Sequence, residues 1–355
     1  MRGTARWTER LEAALGRMWW QPRHTLGAWL LLPLSAVFGA LSAARRLGYR
    51  RGWLRTHRAG VPVIVVGNLV VGGAGKTPTV IALVHALQRR GWHPGVISRG
   101  HGRDEGRARA VQPQSPAAQV GDEALLISRR GGVPVWVARK RPQAADALCT
   151  AHPEVDILVA DDGLQHLALS RDAEVVVFDE RGAGNGWLLP AGPLRQPLPS
   201  PKPGHMPAHS VVLYNAPRPS TPLPGFLADR TLGSLLPLAS WWQGSPADPQ
   251  AWQRFGGREL LAAAGIAAPQ RFFSMLRERG LHIRTLPLPD HFDFATLPWD
   301  ADEADVVVTE KDAVKLPRVL RGDTRVWVAT LDCVLPDELV TAVLSQLPAP
   351  SAHES

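Results

Sequence analysis

The chain has 355 residues, enough to bury a sizeable core and to hold two domains. Its net charge of +8 suggests a nucleic-acid partner only until it is located: residues 1–60 carry eleven Arg against Glu9 and Glu12, about +9 in all, so the rest is close to neutral and no basic groove is expected across the body. Two cysteines, Cys149 and Cys333, offer neither a disulfide framework nor a zinc pattern and fit a reducing compartment.

The first predicted element is an apolar helix. No charged residue occurs between Thr25 and Ala44, a stretch of about twenty residues that is just long enough to span a bilayer. Pro33, Gly27 and Gly39 weaken it as a span. Trp19, Trp20, Trp29 and Trp53, with Arg23, Arg45, Arg46, Arg50 and Arg51, suit an interface of anionic headgroups. A membrane-associated helix is expected, in-plane and spanning modes both being open, with a buried helix of a soluble body as the alternative. The heavier Arg flank follows the apolar run, so a spanning helix leaves the body cytoplasmic. The long polar stretch before it argues against a cleaved signal peptide.

A β-branched run, Val61–Val66, then feeds a glycine-rich turn ending in Gly75-Lys76-Thr77, and a helical pattern follows over Thr77–Arg90. Strand, loop and helix in that order form a phosphate cradle. Loop amides and the helix N-terminus face phosphate oxygens, Lys76 reaches the β/γ-phosphates, and the Thr77 hydroxyl is suited to Mg²⁺. The strict G-x-x-x-x-G-K-[ST] pattern fails at one place, because Val70 stands where its first Gly belongs.

Strands are predicted at Gly95–Ser98, Val133–Ala138, Val155–Ala160 and Glu174–Phe178, with helices at Asp122–Arg130 and Arg141–Thr150. This alternation predicts a parallel sheet covered on both faces, with ligands at the carboxyl ends of the strands. Eleven prolines between Pro190 and Pro224 mark loop and linker. A second, smaller α/β pattern follows: Ser210–Tyr214, a helix around Gly257–Ala264, then Pro269–Arg279, Ile283–Pro287, Asp305–Thr309, Arg325–Ala329 and a last helix at Asp337–Leu347. The expected organisation is an N-terminal membrane-association segment (1–58), an α/β, P-loop NTPase-like parallel-sheet domain (59–205), a smaller α/β domain completing the active site (206–347) and a tail (348–355).

Charged residues sit where such a sheet places its chemistry. Asp161 and Asp162 end an apolar strand, where a P-loop sheet keeps an acid near Mg²⁺, and Leu164-Gln165-His166 adds polar groups. Arg99 and Arg103 follow the second strand, as solvated loop charges or as phosphate ligands. Asp122 and Glu123 open a helix, where the helix dipole alone accounts for acids. Arg195 stands in a proline-rich loop, His291 lies in Asp290-His291-Phe292-Asp293-Phe294, and Thr309-Glu310-Lys311-Asp312 places charges at a helix start, as an ion-pair network or an anion contact.

Seven segments in this order resemble the tetraacyldisaccharide 4′-kinase family of lipid A biosynthesis: Gly-Asn-Leu-Val-Val-Gly-Gly-Ala-Gly-Lys-Thr-Pro (67–78), Ser-Arg-Gly-His-Gly-Arg (98–103), Gly-Asp-Glu (121–123), Asp-Asp-Gly-Leu-Gln-His (161–166), Leu-Pro-Ala-Gly-Pro-Leu-Arg (189–195), Asp-His-Phe-Asp-Phe (290–294) and Thr-Glu-Lys-Asp-Ala-Val-Lys (309–315). Val70 matches that family's P-loop. Gln196, where the family usually has Glu, and Phe292, where it often has His or Tyr, depart from it. The resemblance implies transfer of the γ-phosphoryl of ATP, with Mg²⁺, to the 4′-hydroxyl of a lipid A disaccharide 1-phosphate. It implies nucleotide contacts at Gly72, Gly73, Ala74, Gly75, Lys76, Thr77, Pro78 and Gln165. Metal contacts are implied at Thr77, Glu123, Asp161 and Asp162, and substrate contacts at Arg99, Arg103, Arg195 and Lys311. Asp122 would accept the acceptor's proton with His291 as its hydrogen-bonded partner. The expected boundaries put those two on different lobes, so closure on substrate is expected.

The implied setting is the cytoplasmic face of a bacterial inner membrane, with anionic lipid and the acylated substrate as partners. No nucleic acid and no particular oligomer are implied. The rival reading is a membrane-associated P-loop ATPase or nucleotide switch. It explains Gly75-Lys76-Thr77 and Asp161 equally well but leaves Asp290-His291-Phe292-Asp293 unexplained.

Overall fold

The computed structural model describes residues 14–21, 23–100, 107–200, 207, 209–246, 248–320 and 322–348. Its elements begin with α1 (Leu26–Arg50), β1 (Val63–Gly67), α2 (Lys76–Arg89), β2 (Pro94–Ser98), β3 (Arg109–Ala110), α3 (Ala117–Val120), α4 (Asp122–Gly131), β4 (Val135–Val137), α5 (Arg141–Ala151), β5 (Ile157–Asp161) and β6 (Ala173–Asp179). They continue with β7 (Ser210–Asn215), β8 (Phe226–Leu227), β9 (Asp229–Pro237), α6 (Leu238–Gln243), β10 (Glu259–Ala264), α7 (Pro269–Glu278), β11 (His282–Pro287), β12 (Asp305–Thr309), α8 (Glu310–Ala313), β13 (Arg325–Val334) and α9 (Asp337–Leu344). The chain divides into two compact units. One holds Met1–Lys76, Asp162–Ala228 and Pro336–Ser355; the other holds Thr77–Asp161 and Asp229–Leu335.

In the first unit β1, β6, β7 and β8 lie side by side, every pair parallel. Strands β1 and β6 are apolar nearly throughout and buried along almost their whole length, as strands covered on both faces must be. Helix α9 lies against β6 and β7.

Helix α1 belongs to the same unit. Thr25 caps it, accepting a hydrogen bond from the Ala28 amide at 3.3 Å, and it runs unbroken through Pro33. Leu26, Leu30, Leu34, Val37 and Leu41 recur at helical spacing and are exposed, Leu26 by 84% and Leu30 by 80%. Across the helix, buried Ser35 donates to the Leu188 carbonyl at 2.9 Å and accepts from the Ala191 amide at 3.0 Å. The helix is long and apolar enough to cross a membrane by length and composition, and only 11% of its apolar window is buried. A core helix of a soluble body would hide that stripe, so the buried-helix alternative does not describe α1.

In the second unit β5, β2, β4 and the short antiparallel β3 lie in that order, with α5 against β2 and β4. A separate sheet runs β11–β10–β12–β13–β9, parallel except for β9. Its core gathers Phe272, Phe273 and Leu276 of α7 with Trp252, Phe255, Leu260 and Ala262.

One expected element changes type. The segment expected as a helix around Gly257–Ala264 is strand β10. Its Leu-Leu-Ala-Ala-Ala run favours helix locally, but here it is the strand between β11 and β12, with five consecutive buried residues and parallel ladders on both sides. Tertiary pairing overrides the local preference.

Candidate active-site residues

The first unit holds the glycine-rich loop expected as a phosphate cradle. The carbonyls of the loop's glycine-rich end, Gly72 to Gly75, are each turned toward a side-chain donor. Asn68 Nδ2 donates to Gly72 O at 3.0 Å, Arg181 Nη2 to Gly73 O at 2.7 Å, and Asn215 Nδ2 to Ala74 O at 2.9 Å and Gly75 O at 3.1 Å. In a trans peptide the following N–H points the opposite way, so the amides of Gly73, Ala74, Gly75 and Lys76 face away from those donors. That row of amides is what an anion requires. Gly72 (φ 84°) and Gly75 (φ 80°) take the left-handed turns. Buried Val70 instead bridges Leu194, which explains why no glycine is needed at the motif's first position.

Lys76 is 9% exposed, its Nζ 3.3 Å from Asn68 Oδ1 and 3.5 Å from Asp162 Oδ1. Arg195 Nη1 reaches Asp162 Oδ1 at 3.4 Å and Gln165 Oε1 at 3.3 Å, while Gln165 Nε2 donates to Asn68 O at 3.2 Å. Asp162 adopts φ 47°, a left-handed conformation unusual for a non-glycine residue. Lys76, Asp162, Gln165 and Arg195 thus form one network. Asn68, Arg181 and Asn215 were not singled out in the sequence. Arg181 and Asn215 lie at or just past the carboxyl ends of β6 and β7, the signal that points to them.

The second unit holds an acid–base cluster. Asp122, first residue of α4 and 6% exposed, accepts from the Glu123 amide through Oδ1 at 2.9 Å, and its Oδ2 lies 3.0 Å from His291 Nδ1. The pair expected on separate lobes therefore lies within one compact unit, already hydrogen-bonded. Its partners come from β-strand termini and loops distant in sequence. Lys311 of α8 places Nζ 3.1 Å from Glu123 Oε1, 3.5 Å from Asp290 Oδ1 and 4.0 Å from Asp122 Oδ2. His291 Nε2 lies 3.5 Å from the same ammonium. His291 has φ 60°, strain of a kind that persists only where surrounding contacts hold it.

Charge follows from these distances. Burial pushes Asp122 up, but the His291 hydrogen bond and the Lys311 charge outweigh it and hold the carboxyl at about 2. The hydrogen bond to Asp122 raises His291, against the opposing effects of burial and Lys311. Burial opposes the charge on Lys311, yet Glu123, Asp122 and Asp290 raise its pKa, so it is a permanent cation.

Asp312, fully buried, braces α8: Oδ2 accepts from the Gly265 amide at 3.0 Å and the Thr309 hydroxyl at 2.7 Å, and Oδ1 pairs with Lys315 at 2.8 Å. Removing one partner of a buried pair leaves the other uncompensated. Asp312→Ala is therefore expected to lower stability by about 3–5 kcal/mol, read as a fall in the urea midpoint. An unchanged midpoint would refute this bracing role.

The remaining expected residues divide. Thr77 and Pro78 occupy the first turn of α2, Thr77 being buried. Asp161 ends β5, 1% exposed, with Oδ2 accepting from Ser98 Oγ at 3.2 Å and its backbone carbonyl accepting from Arg141 at 2.7 Å. Arg99 is exposed just past β2, and Arg103 lies outside the described residues. Among the described residues no three of His, Cys, Asp and Glu group as a metal cage. Oxygen donors such as the Thr77 hydroxyl and the Asp161 carboxylate still fit Mg²⁺, which keeps waters and takes one or two carboxylates beside phosphate.

A parallel strand, a glycine loop with its carbonyls pinned back, a buried lysine and a following helix define a P-loop nucleotide-binding protein of the α/β class. The family model described as Tetraacyldisaccharide-1-P 4'-kinase matches residues 27–348. Proteins named tetraacyldisaccharide 4'-kinase match across most of the chain. The one from Leptothrix cholodnii is 55% identical over 98% of this chain and 99% of its own length, and that from Methylibium petroleiphilum is 54% identical over 96% and 94%. A crystal structure of LpxK from Aquifex aeolicus in complex with ATP shares the fold, with TM-score 0.73 and 24% identity over 91% of this chain and 100% of that one. The chain belongs to the tetraacyldisaccharide 4′-kinase family.

Proposed function

We propose that the protein transfers the γ-phosphoryl of ATP to the 4′-hydroxyl of a tetraacyldisaccharide 1-phosphate. Family membership supports this reading. The observation that carries it against a nucleotide switch is the Asp122–His291 hydrogen bond of 3.0 Å. A switch has no use for a buried carboxylate–imidazole pair, whereas an alcohol acceptor must lose a proton.

The roles sort by what phosphoryl transfer requires, which is positioning and charge neutralisation. The loop amides and Lys76 hold the β- and γ-phosphates. Arg195, braced by Asp162 and Gln165, supplies a second cation. Thr77 and Asp161, with Asp162 and Glu123 as further candidates, would hold Mg²⁺, which neutralises phosphate charge when bound. Asp122 takes the acceptor's proton, and His291 shares it through Nδ1. Lys311, beside Asp122 and Glu123, balances the carboxylates and is a proposed contact for substrate phosphate. Arg99 and Arg103 are proposed substrate contacts.

Helix α1 gives the enzyme its place, which we assign to the cytoplasmic face of the inner membrane. An acylated substrate stays in the bilayer, since each buried CH₂ contributes about 0.8 kcal/mol. The exposed leucine stripe and the basic flank meet that surface and its anionic lipids. Deleting residues 1–55 should lower transfer to lipid in micelles or vesicles about tenfold or more while ATP binding stays near wild type. Equal losses of both would show that the segment serves folding instead.

The direct test is transfer of ³²P from labelled Mg-ATP to tetraacyldisaccharide 1-phosphate in mixed micelles. Label in the lipid supports the kinase. ATP hydrolysis by folded protein with unlabelled lipid would overturn it in favour of the switch.

A further inference from the structure

We infer that Glu310 is a positioning residue for phosphoryl transfer, acting through its neighbour Lys311; this rests on the kinase reading above. Glu310 opens α8 and is 6% exposed, yet no step of the reaction uses it. Its carboxylate takes three donors from three separate elements. Oε1 accepts from Arg130 Nη1 of α4 at 2.7 Å and from Trp241 Nε1 of α6 at 3.0 Å, and Oε2 accepts from the Leu331 amide of β13 at 3.0 Å. Arg130 is itself held by Asp332 at 3.0 Å. Beside it the Arg129 guanidinium lies 4.4 Å from the Trp241 ring.

The result is a tie between α4 and α8 at two points. Arg130, in the last turn of α4, meets Glu310; Asp122 and Glu123, in its first turn, meet Lys311. Eight helical steps separate Asp122 from Arg130, about 12 Å along the axis. Helix α8 has four residues and no helical stability of its own, and a lysine side chain is long and flexible. Asp312 fixes the residue after Lys311 through Gly265, Thr309 and Lys315. Glu310 fixes the residue before it, on the side of α4, so that both anchors together aim Lys311 at Asp122 and Glu123. Burying a carboxylate is costly compared with apolar filling. Three convergent donors give that charge a single direction, which an apolar side chain does not supply.

The test measures kcat and ATP affinity by the lipid-transfer assay for the full-length wild type, Glu310→Gln, Lys311→Met and the double variant. Glu310→Gln is expected to lower kcat about 10- to 100-fold, the scale of a misplacement of about 1 Å, with ATP affinity unchanged. On the Lys311→Met background the same change should cost less than about twofold, because the group it positions is gone. Full additivity, or a wild-type kcat in Glu310→Gln, overturns the inference. Should Glu310→Gln not fold, Trp241→Phe removes one donor and keeps the ring: a loss of about threefold or more that vanishes on the Lys311→Met background supports the inference, and an unchanged kcat overturns it. The wild-type lane alone tests the kinase reading, so the two can fail separately.

Discussion

Asp122→Ala will lower kcat for lipid phosphorylation by about a thousandfold, within the range by which positioned bases act, while ATP binding survives. The reason lies in the cluster's charge. A carboxylate held at about 2 is a feeble base for a sugar hydroxyl by itself. Its strength comes from the imidazole 3.0 Å away, which can share the proton as it arrives. His291→Ala should then cost nearly as much, and the double variant little more than either, because residues acting as a unit do not add. Two independent, additive losses would refute the pair.

The same pair sets a pH dependence. His291 is raised above its ordinary 6.5 by its hydrogen bond to Asp122. The rate should rise with pH as His291 loses its proton, through a midpoint above 6.5, and His291→Ala should lose that limb of the kcat profile. Stability runs the other way. The imidazolium–carboxylate contribution is fully present below the unfolded value of 6.5 and fades as pH climbs through the raised folded value. On the acid side Asp122 contributes above its unfolded value of 3.8 and loses that contribution as pH falls through about 2. A wild-type kcat flat from pH 6 to 9 would contradict this assignment.

The second large effect falls on Lys76. Lys76→Met should reduce kcat about 10²- to 10³-fold, as loss of one preorganised charge-stabilising donor does, and should also weaken ATP binding. Lys76 is 9% exposed and its ammonium is poised between Asn68 Oδ1 at 3.3 Å and Asp162 Oδ1 at 3.5 Å, so little reorganisation is needed when phosphate arrives. Lys76→Arg should not rescue it. A planar fork does not replace a compact ammonium in so enclosed a place. Single-turnover transfer and calorimetric ATP titration separate the two losses. Full activity in Lys76→Met would remove the cradle from the mechanism.

What the amino-acid order determined by itself was local. The strand–loop–helix around Gly75-Lys76-Thr77 was legible because the chemistry and the turn occupy consecutive residues. Helix α1 was legible from its apolar run, and the carboxyl-terminal acids Asp161 and Asp162 from the strand they end. The tertiary structure decided whatever depends on pairing across long separations. Asp122 and His291 stand 169 residues apart and meet in one compact unit, a contact no spacing rule reveals. Asn68, Arg181 and Asn215 became cradle residues only once the carbonyls they hold were placed. The Leu-Leu-Ala-Ala-Ala run became β10, not a helix, because ladders to β11 and β12 outweigh a propensity difference of about 1 kcal/mol or less per residue. Local conformational preference is weak and is written in neighbouring residues. Burial and cross-strand pairing are stronger, and they exist only after the chain has folded.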